Sequence, residues 1–155
     1  MNKERQIANR FYEMYQTKYG EKIDQMKLHK LMYFAQRENL VVNDIPLFDE
    51  QFRGWKYGPV LKSVRLAYLN NEIDGNVQKL DRAEEAILKI VFDKYAEKTS
   101  WSLSRLTHGE YSWLHSREGI SEEENGNKPI PIEDIRVDAN RIRARRIKRK
   151  EIGLE

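Results

Sequence analysis

The sequence predicts an all-α domain of about six helices, with one short β-strand or hairpin around residues 52–57. Three observations carry this reading. Apolar residues recur at three- and four-residue steps through most of the chain, the spacing of one helix face. Capping residues stand where those runs begin. Residues 40–60, LVVNDIPLFDEQFRGWKYGPV, break the rhythm, with two prolines, two glycines and a concentration of β-prone side chains.

Taken in order, Ile7, Ala8, Phe11, Met14 and Tyr15 form the stripe of a first helix over 4–19 that ends at Gly20. Asp24 caps a second helix, whose Leu28, Leu31, Met32 and Ala35 keep the period to about Asn39. Alternation from Arg53 to Tyr57 puts Trp55 and Tyr57 on one face of an extended segment and Lys56 on the other. Gly58-Pro59 then reads as a helix start, because proline at the first helical position gives up an N–H that has no partner there. That third helix reaches about Asn70, with Leu61, Val64, Ala67 and Tyr68 inward. Asp81 and Glu84 are spaced as a capping box for a fourth, in which Ala83, Ala86, Ile87, Ile90, Val91 and Tyr95 form the stripe. Ser100 is placed to cap a fifth, carrying Trp101, Leu103 and Leu106. These three and Trp113 are assigned to the core. Residues 108–131 read as largely irregular, and Pro131 opens a last helix with Ile132, Ile135, Ala139 and Ile142 inward.

At 155 residues the chain suits one domain, here residues 1–140, followed by a basic extension over 141–155. Residues 141–150, RIRARRIKRK, hold seven cations and no acid. Residues 1–140 have 21 cations against 23 acids, about −2. Arg141, Arg143, Arg145, Arg146, Lys148, Arg149 and Lys150 are therefore the candidates for binding nucleic acid or an acidic partner, against the plainer reading of a solvated helix end. No run reaches the ~20 apolar residues of a membrane span, and Met-Asn-Lys-Glu-Arg-Gln lacks the apolar core of a signal peptide, so a cytoplasmic protein without membrane contact is expected.

The chemistry that is missing is equally informative. Without cysteine there is no thiolate nucleophile, no disulfide and no Cys-containing zinc site. His29, His108 and His115 fall in no HExxH pattern. His108, Glu110 and His115 are close enough for a weak metal site, but hydrogen-bonded structural histidines are the simpler reading. There is no phosphate-binding glycine loop and no G-x-S-x-G elbow, so neither an enzyme nor a cofactor is expected.

Three segments, KLHKLMYFAQ (27–36), PLFDEQFRGWKYGPV (46–60) and LTHGEYSWLHSR (106–117), resemble in order and spacing the signature segments of the Panacea antitoxin domain. The resemblance covers roughly residues 5–137. Its most specific pieces are W-K-Y-G-P-V at 55–60 and T-H-x-E-x-x-W-x-x-x-R at 107–117. The chain departs from the pattern at Gly54, where alanine is expected, at Ser112, where proline often stands, and at His29, a place commonly held by glutamine. The resemblance implies a mainly helical domain of bacteria and their prophages, the antitoxin of a two-gene module, that neutralises a cognate toxin protein by direct binding. One relative is an adaptor delivering its toxin to a protease. On that reading Arg53, Trp55, Lys56 and Tyr57 are the candidate partner-binding residues, since Trp, Tyr and Arg supply most interface hot spots; the competing reading packs Trp55 and Tyr57 into the core. The alternative function is a regulator binding DNA or RNA, or a proteolytic adaptor, working through the basic tail, although no helix-turn-helix is legible.

Overall fold

In the computed structural model, which describes residues 2–154, helix α2 (Gln25–Asn43) is the axis of the domain. Every residue from Lys27 to Val41 is buried, not only the stripe at Leu28, Leu31, Met32 and Ala35. A helix covered on all sides must satisfy its polar groups internally. Lys27 donates to Ala96 O at 2.9 Å, and Gln36 donates to Phe48 O (2.9 Å) while accepting from Leu47 N (2.7 Å). Asn39 donates to Ile45 O at 2.8 Å.

The elements around α2 follow the predicted order. α1 (Lys3–Tyr19) ends at Gly20 in the left-handed conformation. α4 (Arg82–Tyr95) begins with the capping box of Asp81 and Glu84. α7 (Ile132–Glu151) buries Ile135 and Ala139. Asp24 caps α2 through Lys27 N at 2.8 Å, and the helix runs on to Asn43, where Asp44 takes a left-handed φ of 59°.

Five expectations are corrected. Gly58-Pro59 does not start a helix: β1 (Phe52–Trp55) pairs antiparallel with β2 (Gly58–Val60), and α3 (Lys62–Leu69) begins only after Leu61. Proline is tolerated in this strand because its register partner Gly54 sends its own N–H the other way, to Lys128 O at 2.9 Å. The sheet has a third strand, β3 (Pro129–Ile130), in the order β2-β1-β3. The span 108–131 also contains a helix, α6 (Tyr111–Ser116), giving seven helices among the described residues. Thr99, not Ser100, caps α5 (Ser100–His108), accepting from Ser102 N at 3.1 Å.

Finally, Trp101 and Leu106 are exposed, as is Ile90, whereas Leu103 is buried. The nine-residue α5 has one buried face, made by Leu103, Ser104 and Thr107. Trp101, two positions before Leu103, is turned roughly 200° from it at ~100° per residue.

Candidate partner-binding surface

The β1–β2 hairpin is held from beneath by α2, α5 and α6. Its tip is Lys56-Tyr57, followed by Gly58 at φ 129°. A Cβ on Gly58 would overlap Lys30 Nζ and approach Thr107 Oγ1 to 3.0 Å, so glycine is required by conformation and by space. The Tyr57 carbonyl accepts from Lys30 Nζ and from Ser104 Oγ (3.0 Å). The Trp55 carbonyl accepts from Trp113 Nε1 at 2.8 Å, and the Gly54 carbonyl from Arg117 at 3.1 Å. Arg117 also reaches the carbonyls of Ser121 (3.0 Å), Glu124 (2.6 Å) and Asn125, tying the following loop to the same strand.

The third signature segment, together with Ser104 just before it, is therefore the clamp of the second. Thr107 and Ser104 lie under the tip, and Trp113 and Arg117 grip its backbone. His108 stacks on Trp113 with centroids 4.1 Å apart, and burial together with the nearby Lys30 charge lowers its pKa, favouring the neutral ring. Glu110 closes an inner network: it pairs with Arg37 and accepts from Tyr33 OH at 3.2 Å, while Arg37 donates to Tyr95 OH at 2.9 Å. Burial raises the Glu110 pKa, opposed by the Arg37 charge. Asp138 accepts from Tyr111 N (2.8 Å) and Ser112 N (2.9 Å), capping α6 from α7. Tyr33 lies in the first signature segment, but Arg37 and Asp138 carry no motif signal of their own, and only the fold brings the three together.

The four predicted hairpin residues have different placements. Arg53 donates to Asn127 O (3.2 Å) and Trp55 Nε1 to Asn127 Oδ1 (3.1 Å), so both hold the 125–127 loop. Trp55 is half-buried beneath the Arg65 guanidinium, 5.1 Å from its centroid. Lys56 is half-buried, and Tyr57 is 46% exposed. The Tyr57 ring meets Trp101 edge-on at 5.7 Å, so its aromatic neighbour comes from α5. Two recesses flank the tip. The larger, about 620 Å³, lies between Tyr57, Trp101, Arg105, His108, Trp113 and Leu114. The smaller, about 280 Å³, lies behind the hairpin and is lined by Met26, His29, Lys30, Trp55, Val60 and Arg65, among others.

The basic segment is helical as far as Glu151. Arg143 donates to Leu40 O (2.6 Å) and Val41 O (3.1 Å), satisfying carbonyls at the end of α2. Arg146 makes a two-pronged pair with buried Glu38, both contacts at 2.8 Å. Arg141 lies over the Tyr111 ring, while Arg145, Lys148, Arg149 and Lys150 are exposed. Among the described residues no group of three or more His, Asp or Glu side chains is arranged to hold a metal. His115 instead bonds Asp134 at 2.7 Å. No described helix is long and apolar enough to cross a membrane.

The family model described as "Antitoxin SocA-like, Panacea domain" matches residues 28–114, more than half of the chain. The chain belongs to this family. No curated protein and no solved structure matches it. The matched span of this Panacea domain runs from α2 through the hairpin to Leu114 in α6. Arg117, the 125–127 loop and α7, which complete the support of the tip, lie beyond it.

Proposed function

We propose that this Panacea domain is the antitoxin of a bacterial or prophage toxin–antitoxin module. In the cytoplasm it neutralises a cognate toxin protein by direct binding, without turning over a substrate, through the face formed by the hairpin tip, α5 and α6. One observation carries the choice of face. Trp101 (63% exposed), Tyr57 and Leu114 (50%) line the larger recess; Tyr57 stands on a hairpin backbone pinned by Lys30, Ser104, Trp113 and Arg117, and Trp101 and Leu114 stand on the helices α5 and α6. Large aromatic side chains left in water on rigid backbone lose little entropy when a partner covers them, and such residues dominate binding energy.

The test is co-expression with the product of the adjacent gene. The wild-type chain restores growth. Trp101→Ala and Tyr57→Ala keep the far-UV helix signal and the unfolding midpoint but lose affinity by about thirtyfold or more each, as expected for hot-spot residues. A neighbour equally toxic with and without this chain rejects the antitoxin reading. Full neutralisation by the Trp101→Ala/Tyr57→Ala double variant rejects this face.

A further inference from the structure

The smaller recess behind the hairpin contains two polar side chains for which the fold gives no adequate account. Lys30 is 2% exposed, and among the described residues its ammonium has a single hydrogen-bond acceptor, the Tyr57 carbonyl, and no carboxylate partner. His29 is 3% exposed, and neither ring nitrogen has a hydrogen-bond partner among the described residues. Both line the recess, and Arg65 stands at its edge with its guanidinium over Trp55. The remaining wall is mainly apolar, from Met26, Trp55 and Val60.

We propose that this recess is a binding site for a carboxylate carried on a short apolar group. The carboxylate enters between Lys30, His29 and Arg65, and the apolar part lies against Met26, Trp55 and Val60. A buried ammonium without a counter-charge is costly, and an entering anion with hydrogen-bonding geometry relieves that cost. Burial holds the Lys30 pKa down at about 8, in keeping with an uncompensated charge. The neutral His29 ring has one N–H to donate, and Lys30 has two N–H groups beyond the one given to Tyr57, enough for the two oxygens of a carboxylate. A volume of about 280 Å³ admits a side chain or a small acid and excludes a nucleotide.

The experiment is an NMR titration of the full chain with hexanoate, with the neutral isostere hexanamide, and with the blocked peptide acetyl-Leu-Glu-Leu-amide. Hexanoate shifts the amides around residues 26–30 and 55–60 saturably, and hexanamide does not. Lys30→Met weakens hexanoate binding by about tenfold or more, the loss expected for a charge-assisted hydrogen bond. Absence of shifts at saturating hexanoate, equal binding of the amide, or unchanged affinity in a folded Lys30→Met chain each overturns the proposal. Should Lys30→Met fail to fold, Arg65→Met on the half-buried rim decides, and undiminished hexanoate affinity there overturns it equally. If the peptide binds more tightly than hexanoate, the carboxylate belongs to a protein partner; if hexanoate binds more tightly, it belongs to a free small acid.

Discussion

Trp113 Nε1 donates to the carbonyl oxygen of Trp55 at 2.8 Å, so one signature tryptophan holds the backbone of the other. Trp113→Phe keeps an aromatic ring against His108 but removes the donor, leaving a half-buried carbonyl without its partner. The expected cost is about 1 kcal/mol in urea unfolding, with amide exchange accelerated selectively at residues 54–60. Uniform acceleration across α1 and α4 would show that Trp113 supports the whole core rather than the hairpin.

Gly54 and Ser116 are matched. A Cβ on Gly54 would overlap Ser116 Oγ and sit 2.7 Å from Ser116 Cβ, while Ser116 itself is buried and donates to Trp113 O at 2.6 Å. Gly54→Ala, which restores the residue the family pattern expects, should therefore destabilise this chain by about 1–3 kcal/mol. Adding Ser116→Gly frees the space, and the double variant should regain about 1 kcal/mol over Gly54→Ala despite the glycine near a helix end. Strict additivity in the double-mutant cycle would contradict the overlap.

The helices and most of the hairpin were legible because period and caps are local signals: Asp24, Asp81 with Glu84, and Gly20 act where their spacing says. Pro59 is ambiguous in the sequence because the same residue suits a helix start and a strand position that owes no donor, and only the pairing of Gly54 with Lys128 distinguishes them. α6 is six residues long and is capped by Asp138 from a distant helix, so its own segment contains no start signal. For Trp101 and Leu106 hydrophobicity points inward, and it fails as a guide where large apolar side chains face water. The hairpin candidates were found, but the division between Arg53 and Trp55, which brace a loop, and Tyr57, which faces out with Trp101, depends on contacts far apart in sequence.

His29 sets a pH dependence. Burial, then the charges of Lys30 and Arg65, push its pKa from 6.5 down to about 3. Between those values the unfolded chain binds a proton that the folded chain refuses, so this contribution to stability is fully present above pH 6.5 and is lost as pH falls toward 3. At pH 4.5 the loss is roughly 2–3 kcal/mol. Glu4 and Glu110, both raised mainly by burial, act in the opposite sense and offset part of it. The comparison that isolates His29 is His29→Leu against wild type in urea at pH 7 and pH 4.5. The variant should gain relative stability by about 2–3 kcal/mol on acidification, and an unchanged difference would mean that the folded ring is protonated.

The basic helix contains two kinds of arginine. Arg146 faces Glu38, whose side chain is only 8% exposed, through two contacts of 2.8 Å, and hydrogen bonding to Glu38 is the main reason its own pKa is raised. Arg145, one residue earlier, is exposed. Arg146→Ala leaves a carboxylate buried without its partner, which should cost about 2 kcal/mol or more, discounted from the 3–5 kcal/mol of fully buried pairs because Arg146 is partly in water. Arg145→Ala and Lys148→Ala should stay within about 0.5 kcal/mol of wild type. Replacing Glu38 by Gln in the Arg146→Ala background removes the stranded charge and should recover part of the loss. If Arg145→Ala and Arg146→Ala destabilise equally, the Glu38 pair contributes nothing to the docking of α7.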